Sequence, residues 1–404
     1  MLRMADLGAA AEARLEVFLD GIGKVLGRKE RRASFAAYFI GLLSEAERKS
    51  VEPLAARMCE EPEKMDAAHQ RLLHFVTDSA WSDADVRRAA SRYALDAMTK
   101  RSPVAAWIVD DTGFLKQGSH SVGVQRQYTG SAGKIANCQI GVSLSIATAE
   151  LHVPLDFELY LPDEWATNKK LRKEARIPDE VGFKTKPELA LEMIARAKES
   201  GVPLGVFLAD SAYGDNVEFR RKVRAFGFDY AMGVSALTMV ERLDRAGRGR
   251  GRKLAVRDLA LDLPSKRLTW REGTKGRMSG RFAFARVVPA YVDAEIEMKH
   301  REDAWLVAEF RKRETKYYLS TLPRSTTQSE LVRLIKERYR TEQVYLELKD
   351  ELGLDHYEGR RFPGWHHHVT VALCCYAFLV AERARGFPPS GTRARRTAPV
   401  RSTA

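Results

Sequence analysis

The stretch LGVFLADSAYGDNVEFRRKVRAFGFDYAMGVS (Leu204–Ser235) alternates an apolar run, a charged segment and a second apolar run. LGVFLA reads as a buried strand that stops at Asp210, NVEFRRKVRAFG as a helix, and DYAMGVS as one more strand. The amphipathic helix PELALEMIARAKES (Pro187–Ser200) precedes them, and this alternation predicts an α/β core. Further upstream, VAAWIV (Val104–Val109) is a short strand ended by Asp110, Asp111, Thr112 and Gly113. NCQIGVSLSIAT and HVPLDFELYLP follow as strands, and the turn signals between them predict an antiparallel meander. The intervening KQGSHSVGVQRQYTGSAGK is Gly-rich and basic, a loop or twisted hairpin.

Downstream, LVRLIKERYRTEQVYLELK (Leu331–Lys349) carries Leu331, Leu334, Ile335, Tyr345 and Leu346 at the spacing of an amphipathic helix. Arg338, Glu342 and Lys349 share the inward stripe. A carboxylate on that stripe must be paired or hold a cation, because burying it alone is too costly. An Arg338–Glu342 ion pair would satisfy it, and so would a metal. Two aspartates that end core strands favour the metal. Hard oxygen donors suit Mg²⁺, which keeps some of its waters and leaves room for a phosphodiester. Two such ions assist in-line displacement. The candidates are Asp110 or Asp111, then Asp210, then Glu342. Neighbouring strand residues face opposite ways, so one member of the Asp110/Asp111 pair leads the site.

Composition sets the frame. Lys and Arg number 67 against 54 Asp and Glu, a net charge of +13 that suits a polyanionic partner, nucleic acid first. Four cysteines without a CxxC indicate neither a zinc site nor a disulfide framework. The first residues carry acids within their apolar periodicity, which argues against a signal peptide, and Val369–Val380 is too short to span a bilayer. A cytoplasmic protein is expected.

The segments before residue 101 read as five helices, with Ser79 or Ser82 as the cap of the last. From residue 235 to 320 the pieces RLTW, RFAFARVVPAYV, AWLVAEF and KYYLSTL read as strands, a β-rich insertion. Residues 163–186 read as a polar surface excursion, GRGRGRK (Gly247–Lys253) as a basic loop, and VTVALCCYAFLV as a buried helix. The expected units are a helical DNA-binding part (1–100), an α/β core in two pieces (101–234 and 321–382), the insertion (235–320) and a basic, disordered tail (383–404).

Runs such as AWIVDDTGFLKQGSHSVGVQRQYTGSAGKIANCQIGVSL, FLADSAYGDNVEFR, YYLSTLP and ELKDELGLDHYEGRRFPGWHHHVTVALCCYAFL are distinctive. In these the chain resembles bacterial insertion-sequence transposases of the DDE superfamily along nearly its whole length. The resemblance implies an RNase H-like mixed-sheet core, with the insertion between the second Asp and the Glu. It implies DNA endonuclease and strand-transfer activity with two Mg²⁺, Mn²⁺ being able to substitute. The expected partners are double-stranded DNA (terminal inverted repeats and target) and a second copy of the chain, at the bacterial nucleoid.

Residue by residue, the Asp-Thr dipeptide after the first strand points to Asp111, with Asp110 close behind, and Asp210 and Glu342 complete the triad. In the related group marked by a Tyr-Arg-Glu-Lys signature, Arg338, Glu342 and Lys349 fit the spacing. Ile335 stands at the Tyr position, which leaves a hairpin DNA intermediate open. Arg338 and Lys349 would hold phosphate. Some relatives stack a flipped base on an aromatic of the insertion, and Trp270 is the candidate; a Trp covering the insertion's own core is the alternative.

Lys116, Arg126 and Lys134 are further phosphate contacts or plain loop charges. His366–His368 point around a helix and cannot converge on one metal, so they read as helix-start or DNA-backbone residues. The rival functions are an RNase H-like nuclease without strand transfer and a non-catalytic DNA-binding protein.

Overall fold

A computed structural model describes residues 9–59, 61–244, 246–273, 276–290 and 302–386; the expected basic tail beyond 386 lies outside them. Five helices open the chain: α1 (Ala9–Leu26), α2 (Lys29–Leu43), α3 (Val51–Met58), α4 (Met65–Thr77) and α5 (Asp83–Thr99). Ser82 caps α5 by accepting from the Asp85 amide. The meander follows as β1 (Ala106–Leu115), β2 (Gln125–Thr129), β3 (Lys134–Ala147) and β4 (His152–Tyr160). Next come α6 (Asp163–Thr167), α7 (Lys169–Ala175), α8 (Lys186–Glu199), β5 (Val206–Ala209), α9 (Ser211–Gly214), α10 (Val217–Ala225) and β6 (Tyr230–Val234).

The insertion contributes β7 (Met239–Leu243), β8 (Gly249–Ala255), α11 (Val256–Leu261), β9 (Ser265–Gly273), β10 (Gly276–Pro289), β11 (Ala304–Phe310) and β12 (Thr315–Ser320). The chain closes with α12 (Gln328–Glu337), α13 (Tyr339–Leu346) and α14 (Phe362–Ala384).

β1 pairs antiparallel with β3 and β3 with β4, while β5 and β6 join β1 in parallel. This order, β4-β3-β1-β5-β6, is the RNase H-like sheet that the resemblance implied. The insertion continues it: β12 pairs antiparallel with β6, then β11 and β10 extend the sheet, and β7 and β9 share the far side of β10. The stretch expected to be a basic Gly-rich loop is largely β8, paired with β7. Residues 163–186 are likewise more than a surface excursion. They hold α6 and α7, and Trp165 is buried with its indole N–H on the Val124 carbonyl.

α14 is the pivot of the helical part, buried from Gly364 to Glu382. Around it pack α1, α2, α4 and α5, with Phe18 and Phe39 against Phe378. One apolar core runs from Leu15 through the sheet to Val380, and each large side chain enclosed in it contributes roughly 1.5–3 kcal/mol. The seam is held by Arg87 of α5, only 3% exposed, which reaches Asp83, Asp156, Glu158 and Thr370. Arg196 of α8 meets the same Asp156 and Glu158 at 2.7 Å.

His366, His367 and His368 are buried struts in this seam, which removes them from a DNA-backbone role. His366 lies 3.3 Å from Glu158, His367 stacks on Trp81, and His368 links Tyr38 to the Gly353 carbonyl.

The stretch from Leu331 to Lys349 is not one helix. It breaks at Arg338 between α12 and α13 and loosens into a π-turn over Glu347–Glu351. The break changes the inward stripe: Val332 and Thr341 are buried, whereas Leu346 is 52% exposed.

Candidate active site

β1 and β5 lie side by side in parallel with Ile108 opposite Leu208. Two residues on, each strand delivers an aspartate, Asp110 and Asp210. Ile108 and Leu208 share an apolar cluster with Val332 and Ile335 of α12. The period of two therefore turns Asp110 to that same face, and Asp111 to the other. Asp210 keeps an extended backbone (φ −85°, ψ −173°) and accepts from the Ala212 amide at 2.9 Å.

Two glycines make room for this turn. A Cβ on Gly214 would lie 1.9 Å from the Gly233 carbonyl oxygen, and one on Gly233 would lie 2.9 Å from the Ser211 amide. Sequence reading missed both; the Gly that closes SAYG was the available signal.

Arg338, at the junction of α12 and α13, reaches across to Asp110 at 2.5 Å, and its other terminal nitrogen lies 3.6 Å from Glu342. Burial, reinforced by the neighbouring Asp210 and Asp111 charges, pushes the Asp110 carboxyl up to about 7 against the pull of Arg338. Asp111 meets Lys186 of α8 at 2.9 Å. Glu342 is 52% exposed rather than turned into the core. Among the described residues no three His, Cys, Asp or Glu side chains stand close enough to enclose an ion.

Asp210, Arg338 and Glu342 line one cleft of about 1030 Å³, whose opposite wall is the insertion. That wall presents Trp270, Arg271, Arg311 and Tyr318. Trp270 packs edge-on against Phe282, and the Lys336 ammonium sits 4.7 Å from the centre of its ring. Glu309, 4% exposed, ties the wall to α12: it takes Lys336, Arg311 at 2.9 Å and the Tyr318 hydroxyl at 3.2 Å.

Residues 21–277 match the family of DDE superfamily endonucleases. The chain belongs to that family. It is also 28% identical over 213 residues to a Microchaete diplosiphon protein named "Probable transposase for insertion sequence element IS701". That match takes in 52% of this chain and 51% of the relative, so the chain spans about half the length of the curated relative it matches.

DDE superfamily endonucleases generally depend on a divalent metal. The donor set of this family member has the chemistry for one: two carboxylates on adjacent strand ends and a third on α13, with Arg338 supplying a single positive charge between Asp110 and Glu342.

The other cationic residues of this DDE-family chain have mixed positions. Lys349 donates to the Gly113 carbonyl at 2.7 Å and to the Ser131 hydroxyl at 3.2 Å, so it pins a turn beside β1. Lys116 is spent on the Tyr357 carbonyl at 2.6 Å, and burial pulls its ammonium below the usual lysine range. Arg126 and Lys134 are exposed on the β2–β3 hairpin. No helix among the described residues is long and apolar enough to cross a membrane.

Proposed function

We propose that this chain is the transposase of an insertion sequence, cutting DNA at the element's ends and joining the freed ends to target DNA. The observation that carries the reading is the placement of Asp110 and Asp210 on adjacent parallel strand ends, with Arg338 bridging Asp110 to Glu342 at the wall of the cleft that Asp210 lines. Asp110, Asp210 and Glu342 would hold two Mg²⁺, with Mn²⁺ able to substitute. Asp110 takes the first position in preference to Asp111, whose carboxylate is committed to Lys186 on the opposite face. When bound, such ions activate an attacking oxygen and stabilise the leaving one.

The chain's own groups do the rest. Arg338 pairs with Asp110 and Glu342 until a phosphate enters, and then offers that phosphate a fixed, forked positive charge. Trp270, held by Phe282 and Lys336, gives a base a face to stack on. Lys349 acts one step away, by fixing the turn beside β1. The helical residues before 101 would read terminal repeats, and two copies would pair the two ends at the nucleoid.

A plasmid carrying the gene's own flanks tests the reading. Incubated with Mg²⁺ or Mn²⁺, wild type is expected to cut at the element ends, while EDTA, Asp210→Asn and Glu342→Gln abolish cutting. Binding to those ends without cutting, in either metal, would replace the reading with a non-catalytic DNA-binding protein.

A further inference from the structure

The β2–β3 hairpin plays no part in the chemistry above, yet its surface is unusual. Tyr128 and Ile135 stand directly opposite each other across the antiparallel pair. They are 66% and 61% exposed, although cross-strand pairs of this kind normally cover a core. Arg126, two residues before Tyr128 on the same face, is exposed, and so is Lys134. No Asp or Glu occurs between Asp111 and Glu150, so the hairpin's charged side chains, Arg126 and Lys134, are both positive.

The hairpin is also fixed beside the site. Its turn folds back so that the Ser131 hydroxyl takes the Gly113 amide at 3.3 Å and lies 3.2 Å from the Gly113 carbonyl. Gly113 must lack a side chain, since a Cβ there would lie 1.9 Å from the Thr129 hydroxyl. Lys349 clamps both partners. Gly113 is three residues along β1 from Asp110. In the sheet order, β1, β5 and β6 lie between this hairpin and the insertion that carries Trp270.

We propose that the hairpin is a second DNA-binding surface, on the side of the site opposite Trp270. Arg126 and Lys134 hold backbone phosphates, and the Tyr128–Ile135 pair packs on base or sugar surface of the DNA leaving the cleft. The inference rests on the DNA-cutting reading and adds to it the path of the DNA. The charge favours DNA over a second copy of the chain, because two such basic faces repel.

The test uses the full chain and a fluorescent duplex bearing the gene's flanks, with anisotropy read across a salt series. Arg126→Ala/Lys134→Ala is expected to lower the log–log salt slope by about 2, near 0.9 for each phosphate that is no longer neutralised. Tyr128→Ser/Ile135→Ser is expected to weaken binding roughly ten-fold at an unchanged slope, and Tyr128→Phe to bind as wild type. Circular dichroism confirms folding, and light scattering reports self-association.

Wild-type affinity and slope in both double variants would overturn the hairpin's role while leaving the DNA-cutting reading intact. A change in self-association with DNA affinity untouched would overturn it in favour of an interface between copies. Failure of wild type to hold any DNA would remove the reading and the hairpin's role together.

Discussion

Around Arg87, three carboxylates meet two guanidiniums and a histidine inside the protein. Around Asp110, the carboxylates of Asp210 and Glu342 share one guanidinium, that of Arg338, at the wall of an open cleft. Both clusters lie against the same core sheet, and their protons respond in opposite directions. Burial works against the Glu158 charge, but His366, Arg87 and Arg196 outweigh it and hold the carboxyl low. At Asp110 burial wins and the carboxyl is pushed up to about 7. A closed, matched cluster fastens helices to the sheet; an open, anion-rich one leaves a place for a cation. That contrast separates structure from chemistry more sharply than residue type does.

Breaking the matched cluster gives the largest expected loss of stability. Arg87→Ala strands Asp83, leaves Asp156 and Glu158 to Arg196 and His366, and should cost about 3–5 kcal/mol. Arg338→Ala leaves Asp110 able to neutralise itself by taking up a proton, since burial already pushes its carboxyl up to about 7, and should cost less in the same urea titrations. Equal losses would erase the distinction.

Acid attacks the buried histidines next. Burial pushes His368 down to about 4 and His152 to about 3, so both are neutral when folded. Their folded values lie below the unfolded value near 6.5, so the unfolded chain takes up protons that the fold refuses as pH falls. Stability is full above about 6.5 and is lost toward pH 4, by roughly 3 kcal/mol for each histidine. Glu158 adds a second loss below about 4.5, where the unfolded carboxyl protonates and the folded one resists. Denaturation midpoints at pH 7.5, 5.5 and 4 should fall in that order, less steeply in His368→Gln; a flat profile would contradict the burial argument.

A smaller effect is expected where the insertion joins the core. Glu309→Gln weakens the charged bonds to Lys336 and Arg311 and should cost roughly 2 kcal/mol. Because Lys336 lies against Trp270, tryptophan emission should shift as well. Unchanged emission would show that Glu309 does not steady the Trp270 wall.

Much of this was legible in the chain. Apolar runs and turn signals located β1, β3 to β6 and the insertion strands β9 to β12, though not β7 or β8, and strand ends marked Asp110, Asp111 and Asp210. Period-two logic showed that the neighbouring aspartates must part, but not which one meets the helix. That depends on which face α12 covers, a matter of tertiary packing. The break at Arg338 was hidden because its residues are good helix formers and no Gly or Pro marks it. Likewise His366–His368 carry polar labels but sit buried, each set against a group distant in sequence. Continuity between the insertion and the core sheet rests on β6–β12 pairing, which local pattern cannot reveal.

The most direct test compares Asp110→Asn with Asp111→Asn in metal-dependent cleavage of the flank-bearing plasmid. The open cluster predicts that Asp110→Asn loses at least about 10²-fold in rate, while Asp111→Asn stays within about ten-fold of wild type. An active Asp110→Asn beside a dead Asp111→Asn would place the chemistry on the other face of the sheet and contradict the account.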